Sequence, residues 1–136
     1  MRIRTTLVFV FVGLALVETS KPVWAHHSLV SQFSLAKPIT LRGAVTKVVW
    51  HNPHGRIYVD VKNAEGLVEN WMIETGATGR MIRRGLSRAD FAFGVEVIVA
   101  GYAARDGTRN VAGMIVTFPD REESSPSREA RFSLGR

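Results

Sequence analysis

All four histidines of this 136-residue chain, His26, His27, His51 and His54, fall between positions 26 and 54. Imidazole nitrogens in a tetragonal N/O set favour Cu(II). A chain beginning at His26 would hold one ion with its α-amino group and its first imidazole together. A third nitrogen from the folded domain would then complete the T-shaped arrangement known as a histidine brace. In a variant, His27 binds copper through its ring, the terminal amine and the intervening amide nitrogen. Both versions require a free amine at His26, so a processing event must create the site. His54, in Asn52-Pro53-His54-Gly55, is the imidazole that a loop can bring to it. Asp60, Glu69, Glu74 and Asp106 are carboxylates able to add a ligand, and their spacing selects none of them. The competing reading is plainer: His26 and His27 begin a polar arm, His54 bonds its own turn, and His51 ends a strand.

The first 25 residues supply the processing event. Arg2 and Arg4 form a positive start, and Leu7 to Val17 is an unbroken apolar run, within the 7–15 residues or so expected of a signal-peptide core. Val23-Trp24-Ala25 places suitable residues for cleavage after Ala25. A transmembrane helix needs about 20 apolar residues, and Glu18 and Lys21 close this run too early. The sequence therefore predicts a periplasmic or secreted protein that does not span the membrane after cleavage. Removing Arg2, Arg4, Lys21 and Glu18 leaves 15 basic and 11 acidic residues, a net charge of +4, against +6 for the whole chain. That modest excess, outside the cell, argues against nucleic acid as a partner. The chain has no cysteine. Thiolate chemistry, iron–sulfur ligation and cysteine-ligated zinc are excluded, and stability rests on packing without disulfides.

The elements that must position these residues are mostly β. Residues 26–38 read as an irregular N-terminal arm. From Ile39 the pattern alternates, with Leu41, Gly43, Val45, Lys47 and Val49 on one face and Ala44, Thr46, Val48 and Trp50 on the other. His51 to Gly55 breaks that strand with Asn-Pro and Gly. Ile57, Val59 and Val61 mark the inward face of a second strand, Asn63 to Gly66 a hairpin turn, and Leu67 to Glu74 a third strand. Arg80 to Leu86 is the helical candidate, with Thr78 as its cap. Two further strands, Phe91 to Tyr102 and Asn110 to Phe118, flank an Asp106-Gly107 turn. Three strands, a helix and two strands is the order of an OB-fold-like barrel, five strands with one helix between the third and fourth. A small sandwich with one packed helix is the alternative. The domain organisation is then a signal peptide over 1–25, an arm over 26–38, the barrel over 39–119 and a disordered charged tail over 120–136, rich in Ser, Glu and Arg.

Two surfaces offer recognition without metal. Trp50, Tyr58 and Trp71, on adjacent strands, could form a stacking platform for a sugar or a base, although aromatics in a small barrel usually serve its core or wall. Arg80, Arg83, Arg84 and Arg88 make the helix and its exit basic, which could meet nucleic acid, anionic lipid or an acidic partner, but their spread over nine residues favours a solvated face. No nucleophile constellation and no phosphate-binding glycine loop is present.

Several motifs in order resemble one family. They are Ala25-His26-His27-Ser28, Lys37-Pro38-Ile39-Thr40-Leu41-Arg42-Gly43, Asn52-Pro53-His54, Arg83-Arg84-Gly85, Val95-x-Val97-x-Val99-x-Gly101-Tyr102 and Arg105-Asp106-Gly107. Over about residues 1–120 the chain resembles the small exported proteobacterial proteins grouped as domain of unknown function 6152. The resemblance implies export and a β-barrel-like domain, and it implies no activity. It carries over His26, His27 and His54 and does not carry over His51. After Asp120 the chain departs from the family, with Arg121 where a glycine is expected. N-terminal sequencing of the protein recovered from the exported fraction is expected to begin His26-His27-Ser28; a start at Met1 would remove the terminal amine from the site.

Overall fold

The computed structural model describes residues 29–123, 125 and 128–132. The leader, His26 and His27 lie outside the described residues. The elements in chain order are α1 (Leu29–Gln32), β1 (Phe33–Val49), β2 (Arg56–Lys62), β3 (Val68–Glu74), α2 (Thr78–Arg83), a 3-10 turn (Arg88–Phe91), β4 (Glu96–Ala104), β5 (Asn110–Thr117) and β6 (Glu129–Arg131).

Turn chemistry sets the hairpins. Asn63 Oδ1 accepts from the amides of Glu65 and Leu67 at 3.1 and 2.9 Å, which folds β3 back onto β2. At the other hairpin Asp106 Oδ1 accepts from the amide and hydroxyl of Thr108. Gly107 there has φ +78°, where a side chain would be strained. The sheet order is β3-β2-β1-β4-β5-β6, and a parallel pairing of β3 with β5 joins the far strands. Five strands thereby form a barrel-like ring, the arrangement expected for an OB-like chain with a helix after the third strand.

β1 is long because it serves two neighbours, pairing with β4 over Phe33–Ala44 and with β2 over Gly43–Val49. Its register slips between Val45 and Lys47, which face Val59 and Tyr58 in turn. Thr46 is the extra residue of this bulge, and an extra residue inverts every later side chain. Leu41 and Val45 point into the core before it, and Val48 and Trp50 pack against the same core after it. Simple alternation put Val48 and Trp50 on the opposite face; the bulge is the physical reason they are not.

Val45, Ile57, Val59, Ile73, Val97, Val99, Val111 and Val116 fill the interior. Met81, Leu86 and Phe91, from the connection between β3 and β4, close its floor. The helix runs over 78–83, two residues earlier than its periodicity predicts. Thr78 lies inside it, after Ala77 at the cap position.

Both ends of the domain are longer than expected. The strand begins at Phe33, inside the arm that composition marked as irregular, because Phe33 is buried against Ala104 and Ala112 on the outside of the ring. At the other end, residues 129–131 pair with Thr117, Val116 and Ile115 of β5. Residues 129–132 therefore do not belong to a disordered tail. β3 stops at Glu74 while β5 runs on, and β6 takes up the vacated edge. Ala130 and Phe132 alternate inward, and Phe132 is 2% exposed. A Cβ added at Gly113 would lie 2.7 Å from the Phe132 ring, so the glycine is what admits it. Composition averaged over a polar segment conceals two apolar residues at a spacing of two.

The linker to β6 is held as well. Asp90 accepts from the Ser87 amide and hydroxyl at 2.6 and 2.8 Å and pairs with Arg121, whose guanidinium lies 3.9 Å from the Phe118 ring centroid. Burial disfavours the Asp90 carboxylate, but the Ser87 and Arg121 contacts outweigh it and hold the group below its ordinary value of 3.8. A carboxyl with a depressed folded pKa stabilises the fold above its unfolded pKa and loses that contribution as pH falls through the folded one.

Two outcomes follow. Phe132→Ala is expected to lose about 3–5 kcal/mol in urea denaturation at neutral pH, against almost nothing for a truly disordered tail. Asp90→Asn is expected to cost about 1–2 kcal/mol near pH 7. The gap to the parent protein should narrow as pH drops below the ordinary aspartate value, and a gap constant with pH would show that the carboxylate charge contributes nothing.

Candidate metal-binding cleft

The loop between β1 and β2 is tied down on both sides of His54. Ahead of it, Asn52 Oδ1 accepts from the amide and hydroxyl of Thr78 at 3.1 and 3.0 Å. The asparagine thus satisfies a helix N–H that has no partner within α2, and it joins the loop to the helix. Behind it, Gly55 accepts from the Thr75 amide at 2.9 Å. A Cβ on Gly55 would come within 2.7 Å of Thr75 Oγ1, so the close approach depends on glycine. The Asn52–Pro53 peptide between these anchors is cis.

These ties bring His54 against the end of β3. Its Nδ1 lies 2.6 Å from Glu74 Oε1, with the two side chains 40% and 19% exposed. Nδ1 itself is shut off from solvent, and no hydrogen bond of proper direction reaches it. The contact is an ion-pair approach of imidazole and carboxylate, and the same two atoms are ones a small cation takes as ligands. Two cis ligands on a small ion, each bonded at about 2.0–2.2 Å, stand about 3 Å apart, a few tenths of an ångström more than the separation here.

The other candidate carboxylates have partners. Glu69 accepts from Arg109, Asn63 and the Trp71 indole at 3.1, 3.3 and 3.3 Å. Arg109 is the main cause of its depressed pKa, against the opposing effect of burial. Asp60 accepts from Asn70 at 2.7 Å, and Asp106 is bound within its own turn, where Thr108 holds its pKa down. Glu74 alone of the four meets an imidazole, and sequence spacing carried no signal for that choice.

His54 and Glu74 stand on the wall of a cleft of about 440 Å³, with His51, Arg56 and Gln32 also lining it. A second cleft of about 390 Å³ shares Gln32 and Glu74 and extends to Asp106 and Asn110. Gln32 reaches this place because the arm crosses the outside of the ring. Phe33 anchors it, the Arg105 amide donates to Gln32 O at 2.9 Å, and Arg105 Nε donates to Val30 O at 2.8 Å. His27 precedes Gln32 by five residues, a span of at most about 18 Å of extended chain. Sequence reasoning missed Gln32, for which no local signal exists. It also missed Arg56, which the two-residue step from His54 could have revealed.

A family model described as a family of unknown function, DUF6152, matches residues 14–114. The chain belongs to this family. The DUF6152 match takes in His26, His27, the loop, Arg56 and Glu74, and it ends before Phe118 and β6. No curated protein and no solved structure matches the chain.

Among the described residues no group of three or more His, Asp or Glu side chains is gathered as a metal would require. The described part of this DUF6152 chain thus brings His54 and Glu74 together, a pair and not a full ligand set. His51 lines the same cleft, as an exposed residue at its margin. Trp50 is half-buried with its ring 6.2 Å from Phe91, and Trp71 is half-buried, its indole donating to Glu69. Both pack against the core. Arg80, Arg83 and Arg84 line neither cleft, and Arg84 donates to Arg131 O at 3.2 Å, fastening α2 to β6. No helix among the described residues is long and apolar enough to cross a membrane.

Proposed function

We propose that this is an exported copper-binding protein of the periplasm or the secreted fraction, acting in copper handling or protection. The observation that carries the reading is the Nδ1 of His54 and the Oε1 of Glu74, 2.6 Å apart on a cleft that Gln32 also lines. The amine and imidazole of His26, or the ring of His27, supply the donors that the described residues lack. Chain connectivity favours this, because residues that start five or six positions before Gln32 meet the cleft at high effective concentration. The donor set is nitrogen-rich with one carboxylate and no thiolate, which suits Cu(II) better than Cu(I).

The alternative is an OB-like module that binds a protein, peptide or glycan without metal. Its support lies in exposed apolar side chains, Ile82 on α2 and Phe93 beyond the 3-10 turn, at 58% and 84% exposure. Trp50 and Trp71 give it less, since both indoles are largely committed to the core.

Cu(II) titration of protein processed to begin at His26, read by electron paramagnetic resonance, tests the proposal. Saturable one-to-one binding with nitrogen splittings is expected. Affinity should fall at least tenfold in His54→Ala, and the signal should change when one residue is added before His26. Weak, unsaturable binding that ignores both changes would sink the copper reading.

A further inference from the structure

The connection between β3 and β4 lies across the floor of the ring. Its inward side chains Thr78, Met81, Leu86 and Phe91 are buried, so the residues between and beyond them form one outward layer. That layer exposes Ile82, Arg83, Arg84, Arg88 and Phe93. A lone exposed apolar side chain is ordinary on a protein surface. Here two stand on the same layer, and Phe93 is the most exposed large apolar residue among those described.

The backbone shows why Phe93 protrudes. The Val95 amide donates to Ala92 O at 3.1 Å, and Gly94 has φ +84°, so Phe93 and Gly94 are the central residues of a tight turn. The Gly94 amide donates to Val45 O at 2.8 Å and the Val45 amide to Val95 O at 2.9 Å, which fixes the turn to β1. This turn requires its glycine and requires nothing aromatic before it.

The charge of the layer is one-sided. Asp90 is the only acid between residues 78 and 94, and Arg121 pairs with it. Arg83, Arg84 and Arg88 enter no ion pair among the described residues. Arg84 gives one donor to Arg131 O and keeps its charge. The linker that Arg121 anchors beside the 3-10 turn also carries Glu122 and Glu123. Arg83 and Arg84, on α2, therefore exert more of the attraction than Arg88.

We infer that this layer docks on an anionic lipid surface, with Phe93 and Ile82 entering the interface and Arg83, Arg84 and Arg88 meeting lipid phosphates. A folded protein partner seats its anchors in pockets, and none of these residues lines either cleft. A bilayer needs no pocket. Apolar tips enter at the boundary of headgroups and acyl chains, and the guanidinium fork matches phosphate. Such docking is independent of the copper reading, because the layer contains neither His54 nor Glu74.

The experiment floats metal-free protein, recovered without its leader, with vesicles of phosphatidylcholine alone or of equal parts phosphatidylcholine and phosphatidylglycerol. Binding is expected to the mixed vesicles and not to the neutral ones, and to weaken as salt is raised. Arg83→Gln should lower the affinity about fivefold, the size of one arginine near an anionic surface. Phe93→Ser should lower it about tenfold, with the melting temperature of both variants unchanged because both side chains are exposed. In Phe93→Trp the tryptophan emission should shift to the blue on binding, which adsorption through charge alone does not produce. Absence of binding to the mixed vesicles would overturn the inference. Equal binding by parent, Arg83→Gln and Phe93→Ser would overturn it too, by placing the contact on another face. Binding to polyglutamate in preference to the vesicles would overturn it in favour of an acidic protein partner.

Discussion

Three residue pairs between parallel segments, Met72 with Asn110, Ile73 with Val111 and Glu74 with Ala112, join the two ends of the strand meander. An unpaired strand exposes a row of amide and carbonyl groups, and pairing β3 to β5 removes two such edges at once. Closure also gives Ile57, Val59, Ile73, Val99 and Val111 a common interior, where each is nearly inaccessible to solvent. Because the junction is short, β5 outruns β3 and needs a second neighbour. β6 fills that position, and Ala130 and Phe132 complete the floor beside Phe91 and Phe118.

The same junction decides what lies on the outside. Glu74 is the last residue of β3, so its carboxylate stands where the sheet ends and the loop after β1 passes. Ala112 faces outward next to it and is covered by Phe33, which lays the arm across the ring and brings Gln32 to the cleft. The site is therefore assembled from the ends of elements: a loop, a strand end, a strand start and an arm. Each is rigid for a separate reason, the loop through Asn52 and Thr78, the arm through Phe33 and Arg105. Such support from packed neighbours holds donor atoms in place more firmly than a free loop could.

Electrostatics in the cleft follow from one competition. Glu74 has a cationic neighbour across the strand and an imidazole across the loop, and it faces the imidazole. That choice leaves a positive group and a two-donor pair on one wall. Elsewhere the carboxylates of Glu69, Asp90 and Glu96 are held below their ordinary range by neighbouring donors, and their role is to fasten turns and strands. Trp71, on the inner side of β3, joins that framework through Glu69.

Local chemistry was legible from the sequence. Asn63, Asp106 and Gly107 dictate their turns, β-branched alternation dictates the strands, and the order of strands around one helix dictates an OB-like ring with His54 in its first loop. These are short-range properties, fixed by side-chain shape and backbone sterics within a few residues. The pairing of Glu74 with His54 and not with Arg56, the bulge at Thr46 and the burial of Phe132 were decided by the tertiary structure alone. Each joins residues far apart in the chain or depends on where a partner strand stops. Among four carboxylates of equal chemistry, spacing cannot rank one above another; closure of the ring does, because it sets which side chains share a wall.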